Sequence, residues 1–337
     1  MVTPIVSVIM ANYNAADFIA AALKSVMAQS ISQIEIILSD DASTDGSVKI
    51  ARDIAASEPR LMIIETDENA GPAAARNRAL DAATGKWIAI VDSDDIIHPH
   101  RLERMISFAD TLGTDAIADD LTYMVDGVIR PEATLLEGAI SSDIQELTAR
   151  SFVASTPKAP KLGYLKPMIR RAAIGNLRYR EDIRIGEDHD FYVRFLLNGG
   201  QMQLLPQSYY LYRRHPNSLS YRLRPNDVQT MIAVQDDLLT SYPDLPDDVK
   251  ADFVARRLAL QEPLAFETLV QNIKTRQFGN AIFDLIRKPA LLTRLGSVMK
   301  DHLVRRFSTP VDEPGIRVDP NQWTVQDWSA NLKLSSL

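Results

Sequence analysis

Four short apolar runs in the first hundred residues, each closed by a polar turn and separated by an amphipathic stretch, constrain this chain more than any other feature. The runs Ile5 to Met10, Ile34 to Leu38, Leu61 to Ile64 and Trp87 to Val91 are almost continuous in apolar side chains, as strands covered on both faces must be. Between them, Phe18 to Met27 repeats Phe18, Ala22, Leu23, Val26 and Met27 at three- and four-residue spacing, and Ser47 to Ala56 does so with Val48, Ala51, Ile54 and Ala55, the pattern of one buried helix face. Pro72 opens a third helix, where its missing N–H costs nothing, and Gly85 closes it. This order predicts an α/β fold: a Rossmann-like, mostly parallel sheet with right-handed crossovers and helices on both faces.

From Asp115 onward the alternation degrades. Pro157 and Pro160, among Ser155, Thr156, Lys158 and Lys161, predict a mobile loop. Beyond Asn226 the pattern turns helical, through Val249 to Leu260, Leu264 to Ile273, Ala281 to Ile286 and Leu291 to Phe307, with breaks expected at Pro243, Pro246, Pro263 and Pro289. The last thirty residues carry Pro310, Pro314, Gly315 and Pro320 with little periodicity, and Trp323 and Trp328 are candidates for docking on the body. The expected organisation is a catalytic domain over 1–222, a helical appendage over 223–307 and an extended tail over 308–337. A chain of 337 residues is long enough to bury a sizeable core.

Composition removes several kinds of chemistry. With no cysteine, disulfides, thiolate metal sites, iron–sulfur clusters and cysteine nucleophiles are excluded, and a reducing compartment is suited. The net charge of −7 argues against a protein that coats nucleic acid. Between Lys274 and Phe307, however, eight Lys or Arg face only Asp284 and Asp301, a local bias that suits an anionic surface. No apolar stretch is long enough to span a bilayer, and the N-terminal run lacks a basic flank and is rich in β-branched residues, unlike a secretory leader. The expected location is cytoplasmic.

In an open parallel sheet, ligands bind beyond the carboxyl ends of the strands. Here those ends are polar: Ala11-Asn12-Tyr13-Asn14, Asp40-Asp41-Ala42-Ser43-Thr44-Asp45, Asp67-Glu68-Asn69 and Asp92-Ser93-Asp94-Asp95. Carboxylates crowded at one edge need a cation, a proton or separation to relieve their repulsion. Asp92 and Asp94, two residues apart on an extended chain, share one side, and hard oxygen ligands suit Mg2+ or Mn2+. The competing reading is that Asp94 or Asp95 caps the helix near Pro99. No glycine-rich phosphate loop of either common type follows the first strand, so phosphates must be held by a metal and by cations such as Arg76 or Arg78, unless these lie on a solvated helix face.

Taken in order, Val6-Ser7-Val8-Ile9-Met10 with Asn12-Tyr13-Asn14, Asp40 to Ser47, Ala70 to Asn77 and Val91 to Asp95 resemble family 2 glycosyltransferases of the GT-A fold. Gly186-Glu187-Asp188-His189-Asp190-Phe191 and Tyr212 to Ser220 extend the likeness over roughly residues 4–220. The resemblance implies that Asp41 binds the uracil edge of a nucleotide-sugar donor, that Ala11 and Tyr13 lie at the base, that Arg76 contacts the nucleotide, and that Asp92 meets the ribose or the metal shell. It implies that Asp94 ligates the metal, and it matches His215 to a histidine that some members place on the metal or diphosphate; a structural histidine is the alternative. Ala42 departs from the pattern, standing where glycine is commoner, and Ile96-Ile97 is less polar than usual.

The resemblance further implies an inverting displacement in which Asp188 takes the acceptor's proton, supported by Glu187. The same two acids also suit the N-terminus of a helix running through Phe191, Tyr192, Phe195 and Leu196. Ile282, Phe283, Leu285, Ile286, Leu291, Leu292, Leu295, Val298, Leu303 and Phe307 stand among the basic residues already named, the combination of an interfacial helix or else of a packed helical subdomain. The expected acceptor is a saccharide, lipid-linked at the inner membrane, in bacterial exopolysaccharide or lipopolysaccharide assembly. Two other classes remain: a sugar-phosphate nucleotidyltransferase, which lacks here its glycine-rich signature loop, and a non-catalytic nucleotide-sugar-binding scaffold.

Overall fold

The computed structural model describes residues 3–125, 128–136, 143–154, 159–215, 223–297 and 316–317. The chain begins with the expected alternation: β1 (Val6–Asn12), α1 (Ile19–Met27), β2 (Ile34–Asp40), α2 (Ser47–Ala55), β3 (Leu61–Glu65), α3 (Pro72–Ala82) and β4 (Trp87–Ile90). Val6, Val8, Ile36, Ile37, Leu38, Trp87 and Ala89 are fully buried, which is why β1, β2 and β4 carry no polar alternation; β3, at the end of the strand order, is not covered on both faces as expected, and its Met62 is exposed. The four strands pair in parallel in the order β3-β2-β1-β4. The order reverses beside β1, so the ends of β1, β2 and β4 form the crevice in which such sheets bind ligands.

The second half departs from a purely parallel sheet. After β5 (Ile96–Ile97) and α4 (Arg101–Leu112) come β6 (Ala116–Val125), β7 (Val128–Thr134), β8 (Gln145–Leu147), α5 (Ala149–Val153), β9 (Met168–Arg170), α6 (Arg171–Ile174), α7 (Glu187–Leu197) and β10 (Met202–Arg214). β6 and β10 are parallel to each other, whereas the three-residue β9 lies antiparallel to both β4 and β6, between them. A strand so short, reached without a crossover helix, shows no alternation of its own. The sheet has 11 strands among the described residues, the last being β11 (Ile316–Arg317), which pairs antiparallel with β7. Trp323, Trp328 and the loop residues 155–158 lie outside the described residues.

The chain divides into two compact units, one of residues 1–152, 156–215 and 315–337 and one of 153–155 and 216–314. The second contains α8 (Pro225–Ser241), α9 (Asp247–Ala259), α10 (Gln261–Lys274) and α11 (Phe278–Arg287). Its core includes Phe266, Leu269, Ala281 and Leu291. Pro263 does not break the chain as expected: it is the third residue of α10, in the first turn, where the missing N–H has no intrahelical partner to lose. The helix expected from Leu291 to Phe307 is helical to residue 297, and its remainder, with Val298, Leu303 and Phe307, lies outside the described residues. None of the described helices is long and apolar enough to cross a membrane.

Candidate active site

The ends of β1 and β2 build the first part of the site. The parallel register sets Ala11 opposite Ser39 and Asn12 opposite Asp40. Asn12 is buried and donates from Nδ2 to Asp40 Oδ2 at 2.6 Å; the other Asp40 oxygen accepts the Ser43 N–H at 2.8 Å. Asp40 is thereby spent on shaping the loop. The next residue, Asp41, accepts the Gly71 N–H at 2.6 Å on Oδ2 and Arg78 Nη2 at 2.7 Å on Oδ1. Arg78 is therefore held by Asp41 rather than lying on a solvated helix face. Ala42 has φ +62° and Asn14 φ +50°; glycine is commoner at the former position because a Cβ is strained in the left-handed region. Tyr13 stands 52% exposed beside these groups, an aromatic face that no core packing explains.

Arg76, on α3, is buried and joins three acids that are distant in sequence. Its guanidinium lies 2.9 Å from Asp92 Oδ1, 2.6 Å from Glu187 Oε1 and 3.3 Å from Asp188 Oδ1. A second buried cation, Lys166, sits 2.9 Å from Asp92 Oδ2 and 2.8 Å from Asp188 Oδ2. Arg76, Asp92, Lys166 and Asp188 thus close a ring in which each carboxylate turns one oxygen to each cation. Burial opposes both positive charges, yet Asp188 and Asp92 hold the pKa of Arg76 and of Lys166 well above the usual. Burial likewise acts against the Asp92 anion, and Lys166 and Arg76 outweigh it, keeping Asp92 well below the usual carboxylate range. Glu187 goes the other way: burial and the neighbouring Asp188 raise it despite Arg76.

Glu187 and Asp188 are the first residues of α7, after Gly186 in the left-handed conformation at φ +94°. Both readings of this pair therefore hold, because an acid in a helix's first turn is favoured by the backbone N–H groups and is also held rigidly. Asp188 Oδ1 is buried without a hydrogen bond, since its approach to Arg76 lacks hydrogen-bond geometry.

After β4, Asp92, Asp94 and Asp95 each bring a carboxylate oxygen within 4.8 Å of the others. Asp95 is buried and anchored by the Tyr210 hydroxyl at 2.8 Å and the Arg213 N–H at 2.7 Å, so it does not cap α4; the residue before that helix is His100, and no side chain caps it. Burial, Asp94 and Asp92 push the Asp95 pKa well above its usual value, a direct expression of like charges crowded together. Asp94 Oδ2 lies 2.9 Å from His215 Nε2, and the His215 ring packs against Phe18 at 4.6 Å. Hard oxygens with an imidazole, at a corner where negative charge is in excess, fit Mg2+ or Mn2+. Asp94 is the more open acid, because Asp92 is engaged by Arg76 and Lys166 and Asp95 by β10.

Sequence reasoning named Arg76, Asp92, Glu187 and Asp188, which the fold brings together, and the Asp94–His215 pair. It missed Lys166, Tyr210 and the Arg78 contact. Lys166 sits between turn-forming prolines, where a lysine reads as solvent-exposed; the apolar Leu165, Pro167 and Met168 around it were the available signal of burial.

Residues 7–134 match the model of glycosyl transferase family 2. The succinoglycan biosynthesis protein ExoO of Rhizobium meliloti (strain 1021) is 32% identical over 327 residues, covering 94% of this chain and 92% of that protein. ExoU of the same strain, also a succinoglycan biosynthesis protein, is 29% identical over 311 residues, covering 89% and 88%. Among solved structures, S. aureus TarS 1–349 in complex with UDP-GlcNAc superposes with a TM-score of 0.62 at 23% identity, covering 84% of this chain and 80% of that one. The mannosyltransferase PcManGT of Pyrobaculum calidifontis, with GDP-Man and Mn2+, gives 0.57 at 20% identity, covering 90% and 86%.

Proposed function

This chain belongs to glycosyl transferase family 2 and has the GT-A fold, and on that premise we propose that it transfers a hexosyl group from a UDP-sugar to a saccharide acceptor with inversion, in bacterial polysaccharide assembly. Asp41 receives the uracil edge and Tyr13 covers the base, beside Ala11. Arg76 acts on the nucleotide through Asp92, whose Oδ1 it holds at 2.9 Å. Asp94 and His215 hold a divalent cation, which when bound supplies positive charge to the departing diphosphate.

The acceptor hydroxyl oxygen forms a bond to the anomeric carbon from the face opposite the leaving group. The bond from that carbon to the diphosphate oxygen breaks with its electron pair, and the hydroxyl proton passes to Asp188 Oδ1. A positioned carboxylate contributes about 10²- to 10⁴-fold to such a step. Glu187 supports Asp188 from the adjacent position through their shared partner Arg76.

The observation that carries this reading is the ring of Arg76, Asp92, Lys166 and Asp188, which joins a carboxylate of the β4 corner to a rigid carboxylate that has one oxygen without a hydrogen bond. Calorimetry with UDP and Mn2+ tests it. Asp94→Asn abolishes metal-dependent UDP binding, and Asp188→Asn preserves it while transfer falls about 10²-fold or more. An Asp188→Asn protein that has lost UDP binding but transfers normally overturns the assignment.

The acceptor's nature rests on the helical unit and on the relatives. ExoO and ExoU are named as succinoglycan biosynthesis proteins. Helix α11 turns Ala281 and the partly buried Leu285 into the core of its unit and exposes Phe278, Ile282, Phe283 and Ile286, the last 73% exposed. Exposed Arg276, Arg287 and Lys288 flank that apolar face. An apolar stripe bordered by cations suits the headgroup region of an anionic inner leaflet, where a lipid-linked saccharide is presented. The protein accordingly works as a peripheral enzyme on the cytoplasmic face of the inner membrane.

A further inference from the structure

We infer that Lys166 is a positioning residue that selects which oxygen of Asp188 receives the acceptor's proton and ties that choice to Asp92; this rests on Asp188 being the base. Lys166 is firmly placed. It is 3% exposed, and the backbone on which it stands is pinned at two successive carbonyls. The Leu165 carbonyl accepts the Tyr192 hydroxyl at 3.1 Å, and the Lys166 carbonyl accepts Arg101 Nη2. Arg101 is itself fully buried and paired with the fully buried Asp119 at 2.8 Å. The ammonium group is therefore delivered from a rigid support, unlike an ordinary flexible lysine.

Its two contacts are both to Oδ2 atoms, 2.8 Å to Asp188 and 2.9 Å to Asp92. A carboxylate with one oxygen held by an ammonium group cannot turn about its terminal bond without breaking that contact. Asp188 Oδ2 is thereby committed, and Oδ1, buried beside Arg76, remains without a hydrogen bond, so that the acceptor hydroxyl must displace its cover to reach it. Arg76 alone does not impose this choice, because it lies near Oδ1 at 3.3 Å and has its shorter contacts with Glu187 and Asp92. Lys166 also makes the orientation of Asp188 depend on that of Asp92, on the donor side of the site, so that a base aligned for transfer and an ordered donor corner occur together.

The test compares Lys166→Gln and Lys166→Arg with Asp188→Asn and with Lys166→Gln combined with Asp188→Asn. All are made in the full chain and matched for folding by circular dichroism. Turnover is followed as UDP release from UDP-glucose, UDP-galactose and UDP-N-acetylglucosamine, and UDP affinity with Mn2+ by calorimetry. Loss of alignment on this scale lowers kcat about 10²-fold; Lys166→Gln is expected to do so with a smaller weakening of donor KM and UDP affinity, under about 10-fold, through its contact with Asp92, and Lys166→Arg to recover part of the loss. In the Asp188→Asn background, Lys166→Gln should lower kcat less than about threefold further, because the group it positions is already gone. Equal losses in both backgrounds, or a Lys166→Gln protein with wild-type kcat, overturn the inference. An Asp188→Asn protein with undiminished kcat instead overturns the assignment of the base, a separate failure. A crystal structure of Lys166→Gln gives a result without turnover: Asp188 Oδ2 should leave its position beside residue 166, and its staying there in the absence of the charge counts against the inference.

Discussion

Asp94 Oδ2 and His215 Nε2 stand 2.9 Å apart across 121 residues of chain, joining the loop after β4 to the residue that follows β10. The contact forms because β10 delivers two other groups to the same corner: Arg213 donates from its backbone N–H to Asp95 at 2.7 Å and from Nε to the Asp94 carbonyl at 2.7 Å. His215→Ala should weaken Mn2+-dependent UDP binding by about 10- to 100-fold, and Asp94→Asn should weaken it more. Calorimetry with and without a chelator reads both, and unchanged Mn2+ dependence in the His215 variant removes the histidine from the cation site.

Tyr13 offers an exposed ring at the end of β1 with no packing role. Stacking of a base on an aromatic ring is worth about 1–3 kcal/mol, so Tyr13→Ala should weaken UDP binding by roughly 5- to 150-fold, with a melting temperature near that of the wild type. Equal affinity for UDP in the two proteins places the base elsewhere.

Ala42 adopts φ +62°, and relief of its Cβ strain in Ala42→Gly outweighs the greater freedom of the unfolded glycine chain. The expected gain is about 0.5–1 kcal/mol, or a rise of about 1–4 °C in melting temperature, measured by thermal unfolding. UDP affinity should be kept, since the loop retains its shape.

Two buried groups oppose each other as pH changes. Burial, with His100 and Arg104 nearby, brings His98 down to about 4, so the unfolded chain binds the proton more readily, and stability is lost as pH falls from about 6.5 toward about 4. Burial raises Asp120 to about 6 despite hydrogen bonds from Thr134 and the backbone, so its protonated form favours the fold, and stability is lost as pH rises from about 4 through about 6. In the wild type these slopes largely cancel. Relative to the wild type, Asp120→Asn should therefore lose stability on acidification and His98→Gln should gain it, each by about 2–3 kcal/mol across the window. Urea midpoints at pH of about 4.5 and about 6.5 read the two signs.

The exposed face of α11 predicts binding to vesicles that contain phosphatidylglycerol. Ile282→Ser with Ile286→Ser removes two large apolar side chains, each 58% or more exposed, and should reduce flotation with such vesicles about 10-fold or more while leaving thermal stability unchanged. Flotation that shows no preference for anionic lipid counts against the membrane surface.

Much of the site is legible without tertiary structure because it follows strand ends. Asp41, Asp92 and Asp94 each come within three residues of the end of an apolar run, and a parallel sheet brings all such ends to one edge. Glu187 and Asp188 are legible as the start of a helix. Lys166 is not, because its burial depends on β9 slipping antiparallel between β4 and β6, and nothing in three residues of strand announces a pairing direction.

By itself, then, the amino-acid order determines what local periodicity controls: in the first hundred residues which segments are the four parallel strands and which are helices, and which acids stand at the edge of the sheet, since those depend on neighbours within about four positions. Tertiary structure alone decides which charges meet. Arg76 with Glu187, Lys166 with Asp92 and Asp94 with His215 are separated by dozens of residues or more, and a carboxylate's orientation and proton affinity come from the cations and the burial around it rather than from its place in the chain.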